Sequence, residues 1–424
     1  MTESTFPTPD DWQDISLGDL LTFSNGINAD KSVYGSGVPF ANVLEVITYE
    51  SLRAQDIPGR IELPRKILQR YEVRRGDILF NRTSETQDEV GISSVYLADE
   101  PIVFGGFVFR GRPVTDAMAV NYSKYALRAA YVRDQIISRG QGGIRANIGQ
   151  RDLKSVVLRI PSLKEQRAIA EVLDDAASQL KTLEHLIEKK QAIKQGMMQQ
   201  LLTGKARLPG FSARWQQVRL GDHVSYLKVV PLSRAQLDAD SPLRYLHYGD
   251  IHTRAGVLVD TSQEQMPRAP VSLARDADRL KVGDLVFVDA SEDLVGVGKS
   301  VEITATPREG VVAGLHTIAA RFDKTVLADG FKAYLQFIPD FRDALLRLAA
   351  GTKVLATNRS HISSITLRIP GIDEQEAIAT VLRDCDRELD ALGQRLHKAR
   401  AIKQGMMQEL LIGRIRLPVN EVAL

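Results

Sequence analysis

The chain contains one long element twice, at a constant offset. Residues 192–199, with the sequence Ala-Ile-Lys-Gln-Gly-Met-Met-Gln, return unchanged as residues 401–408. The Glu-Gln pair at 165–166 returns at 374–375, again 209 residues later. Because the two copies align without an insertion or a deletion, we expect a rigid element of fixed length.

Each copy has the periodicity of a helix. Apolar residues recur three and four positions apart, the spacing of a coiled-coil seam. Ser162 and Glu165 predict a capping box at the start of the first helix and Gly204 marks its end, so it should hold about 40 residues. The second helix starts at Gly371 and ends near Gly413. Since neither helix can bury its stripe alone, we expect the copies to pack on each other. The seam residues are Leu173, Ala176, Leu180, Leu183 and Ile187 in the first copy and Leu382, Cys385, Leu389, Leu392 and Leu396 in the second.

The segments before the helices are also copies of one another. Both tryptophans, Trp12 and Trp215, lie in a Trp-Gln-x-[Ile/Val]-x-Leu-Gly-Asp frame. A Gly-Asp turn that leads into an apolar, strand-like run occurs at Gly76 and again at Gly283. The order is therefore module, helix, module, helix. We divide the chain into a first module at 1–155, a first helical region at 156–210, a second module at 211–364 and a second helical region at 365–424.

An Arg-Leu-Pro sequence follows each helix and predicts which ends meet. After Arg207 the chain continues to Trp215, whereas after Arg416 it soon ends. We therefore expect Trp12 to pack near the C-terminus, in a closed arrangement with approximate two-fold symmetry.

Composition limits the class of protein. With 424 residues, 44% hydrophobic and 25% charged, the chain is typical of a soluble protein with more than one domain. It lacks an apolar run of about 20 residues that could span a membrane, and its start does not resemble a signal peptide. The single cysteine, Cys385, excludes an intrachain disulfide and favours a reducing cytoplasm. The net charge of +2 indicates no partner, but residues 124–159 carry eight Lys or Arg against two Asp.

Two groups of residues in each module are candidates for contact with DNA. One is a loop in which glycine lets the backbone approach a phosphate and Arg or Asn can contact bases. The other follows the strand of the Gly-Asp motif. The alternative is that both groups form ordinary solvated loops. The candidates are Arg82, Ser84, Glu85, Arg139, Gly142, Gly143, Arg145 and Asn147 in the first module and Ser291, Glu292, Gly351, Thr352, Lys353, Asn358 and Arg359 in the second.

Motifs for catalysis are incomplete. Gly298-Lys299-Ser300 resembles the end of a phosphate-binding loop, but Asp293 stands where that loop needs glycine. Glu188-Lys189-Lys190 has the residues of a nuclease motif but lies on the heptad helix, where solvated charges are usual. His247 and His252 lack the spacing and neighbouring cysteines of a zinc site. We therefore predict a recognition protein with no catalytic residues and no metal.

The duplicated order carries a family resemblance. Each module has a Trp-x5-Gly-Asp and a Gly-Asp-[Ile/Leu] signature and is followed by an Ile-Pro…Glu-Gln-x-x-Ile helix that ends in Lys-Gln-Gly-Met-Met-Gln. This pattern covers nearly the whole chain and resembles the specificity subunit of type I restriction-modification systems. The resemblance implies an α+β fold of two target recognition domains, separated by two long antiparallel helices that form a coiled coil with pseudo-two-fold symmetry. Gly371 and Gly393, where the first helix has Ser162 and Glu184, depart from a strong helix.

The resemblance also implies function and partners. Each module would read half of a bipartite, asymmetric site on double-stranded DNA, and the helices would dock two modification (methyltransferase) subunits. Those subunits would use S-adenosylmethionine, and restriction (endonuclease and translocase) subunits would use ATP and Mg. The chain itself would hold no cofactor and would work in the cytoplasm, away from membranes.

Two other hypotheses remain open from the sequence. The chain could be a coiled-coil scaffold whose modules bind protein or glycan ligands, and a steep salt dependence of binding would distinguish DNA from such ligands. It could also be an enzyme with an unrecognised site, which would require turnover by the purified chain alone.

Overall fold

The computed structural model describes residues 9–28, 30, 33–142, 145–294, 296–349 and 355–418. The chain divides into two compact units. Unit 1 consists of residues 1–183 together with 395–424, and unit 2 consists of residues 184–394. Each unit therefore contains one module and a part of both long helices.

Unit 1 begins with short strands and helices that alternate along the chain. Its strands are β1 (Gln13–Ser16), β2 (Leu21–Asn25), β3 (Tyr34–Ala41), β4 (Ser51–Leu52), β5 (Arg60–Ile61), β6 (Ile78–Asn81), β7 (Thr83–Ser84), β8 (Ser93–Tyr96), β9 (Val103–Phe104), β10 (Val108–Pro113), β11 (Ala146–Asn147) and β12 (Val157–Ile160). Its helices are α1 (Leu17–Leu20), α2 (Val43–Thr48), α3 (Arg65–Tyr71), α4 (Val120–Ala126), α5 (Ala130–Arg139) and α6 (Gln150–Lys154). The long helix α7 (Leu163–Leu201) follows.

Unit 2 repeats the same order with fewer elements. Its strands are β13 (Gln216–Arg219), β14 (Val224–Tyr226), β15 (Arg244–Leu246), β16 (Leu258–Asp260), β17 (Leu285–Val288), β18 (Ala290–Ser291), β19 (Ser300–Ala305), β20 (Val311–Ala313), β21 (Thr317–Phe322), β22 (Leu355–Ala356) and β23 (Thr366–Ile369). Its helices are α8 (Tyr248–His252), α9 (Pro339–Leu348) and α10 (Arg359–Ser364), and the second long helix is α11 (Ile372–Leu410).

A five-stranded sheet forms the centre of each unit. Its order is β2-β10-β6-β8-β4 in unit 1 and β14-β21-β17-β19-β16 in unit 2, so the topology is the same. The central strands β6 and β17 are buried along their whole length, as their continuous apolar runs predict. Only the last pair in each sheet, β8 with β4 and β19 with β16, is parallel. The strand expected after each Gly-Asp turn is thus confirmed.

The two long helices have the predicted lengths. Each contains 39 residues, and α11 runs through Gly393 without a break. All ten predicted seam residues are buried or half-buried. Within unit 2, Lys190 of α7 bonds to Glu388 of α11 at 2.8 Å, and Lys194, one turn later, bonds to the earlier residue Asp386. The helices therefore run antiparallel in this unit, with charged pairs beside the apolar seam.

The capping box expected at the start of α7 is only half formed. The Ser162 hydroxyl accepts a hydrogen bond from the Glu165 amide, at 3.4 Å. The Glu165 carboxylate does not return to the cap but binds the guanidinium of Arg416 in unit 1, with the Arg416 Nη2 at 2.7 Å. Glu374 and Arg207 form the same bidentate pair in unit 2. The glutamate side chain is nearly buried in both units. A buried carboxylate needs a positively charged partner, and the arginine provides one, whereas a bond to the cap amide would not.

The neighbouring glutamine joins each helix to its module. Gln166 is fully buried, accepts from the Ala119 amide and donates to the carbonyls of Ala117 and Pro161 at 2.8 to 2.9 Å. Gln375 makes three equivalent bonds in unit 2. The repeated Glu-Gln pair therefore connects three parts of each unit. The glutamate binds the arginine that follows the other long helix, and the glutamine bonds to the backbone of the module.

The predicted approach of Trp12 to the C-terminal residues is confirmed within unit 1. A Cβ on Gly413 would lie 3.1 Å from Trp12, and Arg416 donates two hydrogen bonds to the Asp11 carboxylate. In unit 2, a Cβ on Gly204 would lie 3.2 Å from Trp215. Glycine is needed at both helix ends because its φ is near +70° and the indole leaves no room for a side chain.

Candidate nucleic-acid interface

A buried ion pair sets the position of the central strand that leads to the candidate site. Gly76 has a φ of +89°, and the Asp77 carboxylate accepts from the Arg74 amide at 2.8 Å, which closes the turn. Arg112 on the neighbouring strand β10 donates two bonds to the same carboxylate, at 2.9 and 2.6 Å. These contacts explain why glycine and aspartate both recur in this motif.

Unit 2 repeats this ion pair. Gly283 has the same φ of +89°, and Arg321 on β21 donates to both oxygens of Asp284 at 2.7 and 2.6 Å. The Lys281 amide closes the turn. Because strand position and register are the same, residues that follow β6 and β17 lie at equivalent places in their units.

The structure brings together the two candidate groups that lie 60 residues apart in the first module. Strand β7 follows β6 directly and pairs with β11, with Ser84 opposite Ala146 and Thr83 opposite Asn147. The Thr83 hydroxyl donates to the Asn147 side chain at 2.7 Å. The Gly-rich loop is thus attached to the end of the buried strand rather than to a remote surface.

The exposed charges of this pair of segments are Arg82, Glu85 and Arg145. The Arg82 guanidinium lies 5.3 Å from the ring centre of Phe109, which orients it without neutralising it. Glu85 and Arg145 approach within 3.9 Å, but both side chains are more than half exposed. This pair is weak in water and available to a ligand.

Other candidates in unit 1 have structural roles. Ser84 is buried and donates to Glu89 at 2.9 Å. Arg139, at the end of α5, donates to the Ser155 hydroxyl and the Gln135 carbonyl. Gly142 has a φ of +123°, and a Cβ there would lie 2.1 Å from the Arg145 carbonyl oxygen, so glycine shapes the turn. Gly143 lies outside the described residues.

The second module has the same construction with other side chains. Strand β18 pairs with β22, with Ser291 opposite Leu355, and Ser291 is again buried. Glu292 is exposed. Asn358 caps α10 by accepting from the His361 amide at 3.0 Å. Gly351, Thr352 and Lys353 lie outside the described residues.

The side chain of Arg359 is positioned by contacts with Tyr226 and Leu227. Its guanidinium lies 5.6 Å from the ring centre of Tyr226 and donates to the Leu227 carbonyl at 3.0 Å. The Tyr226 hydroxyl in turn donates to the Arg359 carbonyl at 2.8 Å. Arg359 is therefore exposed but positioned, unlike Arg145.

Two residues at the interface were missed by the sequence analysis. The amide of Arg82 bonds to the carbonyl of Phe107, and that of Asp289, at the matching place in unit 2, bonds to the carbonyl of His316. Phe107 is 61% exposed, which is unusual for a large aromatic residue. No motif marks either residue, because each reaches the site from a different strand connection.

The chemistry of this position differs between the units. Unit 1 presents a cation beside an exposed aromatic ring, whereas unit 2 presents a carboxylate beside an imidazole. The Asp289 carboxylate lies 3.3 Å from the His316 Nδ1, and burial raises the pKa of Asp289 although His316 opposes this shift. One scaffold thus carries two different sets of hydrogen-bonding groups.

None of the described helices is both long and apolar enough to span a membrane. Across the described ranges, His, Cys, Asp and Glu side chains do not gather in groups of three or more that could hold a metal ion.

Comparison with known proteins gives consistent matches. Residues 9–195 match the family described as type I restriction modification DNA specificity domain. The type I restriction enzyme MjaVIII specificity subunit of Methanocaldococcus jannaschii is 20% identical over 96% of this chain and 94% of its own length.

Two solved structures have a similar fold over almost the whole chain. The S subunit of a type I restriction-modification system from M. genitalium has a TM-score of 0.57 at 14% identity, over 96% of this chain and 98% of that chain. A chain from a structural study of complex assembly and conformational transition in the type I system has a TM-score of 0.60 at 14% identity, over 97% and 100%. The α+β fold with two modules and long helices is shared by these structures.

Proposed function

We propose that this chain is a specificity subunit of a type I restriction-modification system, as the match of residues 9–195 and the shared fold support, and that its two modules each read one half of a bipartite, asymmetric DNA site. The observation that supports this is the repeated strand-and-loop interface. The same strand pairing occurs in both units, but Arg82 and Phe107 in one are replaced by Asp289 and His316 in the other. Two different readers on one scaffold would select two different half-sites.

The side chains at this interface, which are exposed except for the half-buried Asp289, suit direct contact with base edges. Arginine donates two parallel hydrogen bonds to guanine, and carboxylates accept from the amino group of cytosine. Arg82 and Arg145 offer the first chemistry in unit 1, and Asp289 and Glu292 offer the second in unit 2. Phosphate contacts would position the modules without adding sequence information.

Exchange of one module tests the division of labour. Residues 12–155 are replaced by the first module of another specificity subunit, and the modified motif is read by methylome sequencing of cells that carry the hybrid. We expect one half-site to change and the other to stay the same. The matched control replaces residues 215–364, which should change only the other half. A change in both halves with either hybrid would contradict independent reading.

In this proposal the chain contributes recognition and its partners contribute chemistry. S-adenosylmethionine would be held by modification subunits, and ATP with Mg by restriction subunits, all in the cytoplasm. The purified chain should transfer no labelled methyl group to DNA and should cleave none. Methylation or cleavage of DNA by a preparation of the chain that is free of partner subunits would refute this assignment.

The repeated helix ends supply a matched pair of surfaces for the modification subunits. Ile193 of α7 and the equivalent Ile402 of α11 are 46% and 62% exposed. Gly196 and Gly405 follow them by one turn, and a Cβ on either would meet no atom within 4 Å. Glycine inside a helix costs about 1 kcal/mol relative to alanine. Its presence in both copies is explained if the backbone of a partner approaches closely there.

The neighbouring lysines do not compete for this surface. Lys194 is directed to Asp386 inside unit 2, and Lys403 bonds to Glu50 inside unit 1 at 3.1 Å. The exposed side of each helix end therefore presents isoleucine and glycine together with glutamine, which suits a contact of mixed apolar and polar character. Two equal surfaces in one chain match two copies of one modification subunit.

Single substitutions test this docking. Ile193→Asp and Ile402→Asp should each remove one modification subunit, so native mass spectrometry should show one copy in place of two. The double variant should bind none. Leu44→Asp, at a 71% exposed leucine in the first module, is the control and should leave two copies bound. Loss of both copies from either single variant would mean that the two surfaces are not independent.

A further inference from the structure

A cleft with a volume of about 610 Å³ lies beside Trp215 in unit 2. This volume lies within the range of small-molecule binding sites, roughly 300–1,000 Å³. The lining is strongly basic, because half of its residues are arginines. The lining residues are Gly204, Arg207, Arg214, Trp215, Gln217 and Arg368.

One of the three arginines is part of the folded frame. Arg207 forms the bidentate pair with Glu374, donates to the Ala213 carbonyl at 2.9 Å and lies 5.6 Å from the ring centre of Trp215. The side chains of Arg214 and Arg368 are exposed, and neither guanidinium forms an ion pair or a hydrogen bond with another residue in the described part of the chain. Two guanidinium groups thus face the cleft without a counter-charge.

Unit 1 has the same frame with the opposite charge balance. Asp11 precedes Trp12 as Arg214 precedes Trp215, and it binds Arg416 at 3.0 and 2.9 Å. This contact lowers the pKa of Asp11. In unit 1 the arginine beside the tryptophan is thus paired with a carboxylate, whereas unit 2 has a further arginine in the place of that carboxylate.

The strand pairs β1–β12 and β13–β23 have the same register, so their residues can be compared position by position. Asp14 of β1 lies opposite Arg159 of β12, and its carboxylate accepts from the Arg159 Nε at 2.8 Å. Gln217 of β13 lies opposite Arg368 of β23 at the same place, and no bond joins their side chains in the described structure. Two aspartates of unit 1 are thus replaced by Arg214 and Gln217.

The replacement creates a site for an anion. Like charges that converge in one cleft repel each other, and a bound anion removes that repulsion. Arginine is the residue best matched to phosphate, because its planar group donates two parallel hydrogen bonds. The residues that line the cleft include none of the candidate base-contacting residues, so the cleft is suited to phosphates, which carry no sequence information.

We propose that this cleft binds phosphate groups of the DNA backbone and anchors unit 2 to DNA independently of sequence, with no counterpart in unit 1. The inference rests on the proposed function, because DNA is the source of the phosphates. Arg214 and Arg368 are the anchoring residues, and Arg207 and Trp215, which both bond to Glu374, line the cleft beside them.

The test measures the salt dependence of DNA binding by the full chain assembled with its modification subunits. Each phosphate contact contributes about 0.9 to the slope of log affinity against log salt concentration. The double variant Arg214→Ala and Arg368→Ala should therefore reduce the magnitude of the slope by about two. It should weaken binding equally for DNA with and without the recognition site. The methylated motif in cells should not change.

Two further variants control for charge and for folding. Arg275→Ala with Arg308→Ala removes two exposed arginines of unit 2 outside the cleft and should leave the slope within experimental error. Arg214→Asp with Gln217→Asp gives unit 2 the carboxylates of unit 1 and should weaken binding further than the alanine pair. Unchanged thermal unfolding of all variants shows that the frame is intact.

The outcomes separate the inference from the proposed function. If the wild-type complex shows no salt-dependent DNA binding, the proposed function fails. If it does, and the cleft variants keep the wild-type slope, the phosphate anchor is refuted while the proposed function stands. Variants that keep the slope but lose a partner subunit would assign the cleft to an acidic protein surface. Variants that keep the slope but lose binding of free ATP or inorganic phosphate to the chain would assign it to a small phosphate ligand. Both results overturn the backbone assignment.

Discussion

The surroundings of Trp12 and Trp215 differ in charge although their frames are the same. Both tryptophans pack on the glycine that ends a long helix, and both lie beside a buried Glu–Arg pair. Carboxylates fill the rest of the site in unit 1, whereas arginine and glutamine stand there in unit 2. Contacts that hold the helix to the module are therefore retained in both copies. The positions occupied by Asp11 and Asp14 in unit 1 and by Arg214 and Gln217 in unit 2 are not needed for these contacts and can serve another function.

A second difference lies inside the central sheet. Val95 on β8 lies opposite Ile78, and Glu302 on β19 lies opposite the equivalent Leu285. Unit 1 thus has a valine where unit 2 buries a carboxylate. Glu302 accepts from the amides of Gly330 and Ala333, in the connection that unit 2 uses before α9. The same strand position can be apolar or charged, provided that the nearby backbone supplies hydrogen bonds.

The largest effect should come from a contact that the units share. Asp77→Ala and Asp284→Ala each remove a buried carboxylate that accepts two bonds from arginine and one from the backbone. Each should lower the free energy of unfolding by about 3 kcal/mol, as measured by urea denaturation. Asp99→Ala, at an 89% exposed side chain, is the control and should have little effect. Clearly unequal losses would show that the two turns are not equivalent.

The buried carboxylate of unit 2 should add a pH dependence that unit 1 lacks. Burial raises the pKa of Glu302 to about 7, against the opposing effect of Lys332. Because the folded protein holds this proton more tightly than the unfolded chain, the contribution to stability is complete at low pH and is lost as pH rises towards 7. From pH 5 to pH 7, wild type should lose about 2 kcal/mol relative to Glu302→Gln. A stability difference that is constant across this range would contradict the expectation.

A smaller effect should distinguish the two Glu–Arg pairs. Glu374→Gln leaves Arg207 without a carboxylate, whereas Glu165→Gln leaves Arg416 bound to Asp11. The unfolding midpoint should therefore be lower for Glu374→Gln, by roughly 2–4 °C. Adding Asp11→Ala to Glu165→Gln should bring the two variants together in a thermal scan. If it does not, Asp11 does not compensate for the lost glutamate.

The smallest effect should come from the exposed arginines of the interface. Arg145→Ala should weaken DNA binding by about 1 kcal/mol and leave stability unchanged, because its side chain is 61% exposed. Loss of discrimination at a single base position, measured by competition among site variants, would identify a base contact. Arg359→Ala should also lower stability, because that guanidinium packs on Tyr226. Equal stability of the two variants would show that the contacts of Arg359 do not stabilise the fold more than those of Arg145.

Features set by neighbours in the sequence were predicted well. The bounds of the long helices, their seam and the strand after each Gly-Asp turn follow from periodicity and from glycine, which act within a few residues. The predicted DNA contacts stay predictions, but their placement varies. Arg82 and Arg145 lie together at the surface, whereas Arg139 and Asn358 serve the fold.

Only the tertiary structure decided which distant residues meet. The sequence by itself determined that the chain is two copies of a module and a helix, because repeats and heptads are local patterns. It could not show that Glu165 binds Arg416, that Phe107 and His316 join the interface, or that Arg214 stands where Asp11 does beside the other tryptophan. These contacts join segments far apart in the chain, and their energy depends on burial and register that appear only when the sheets and helices have packed.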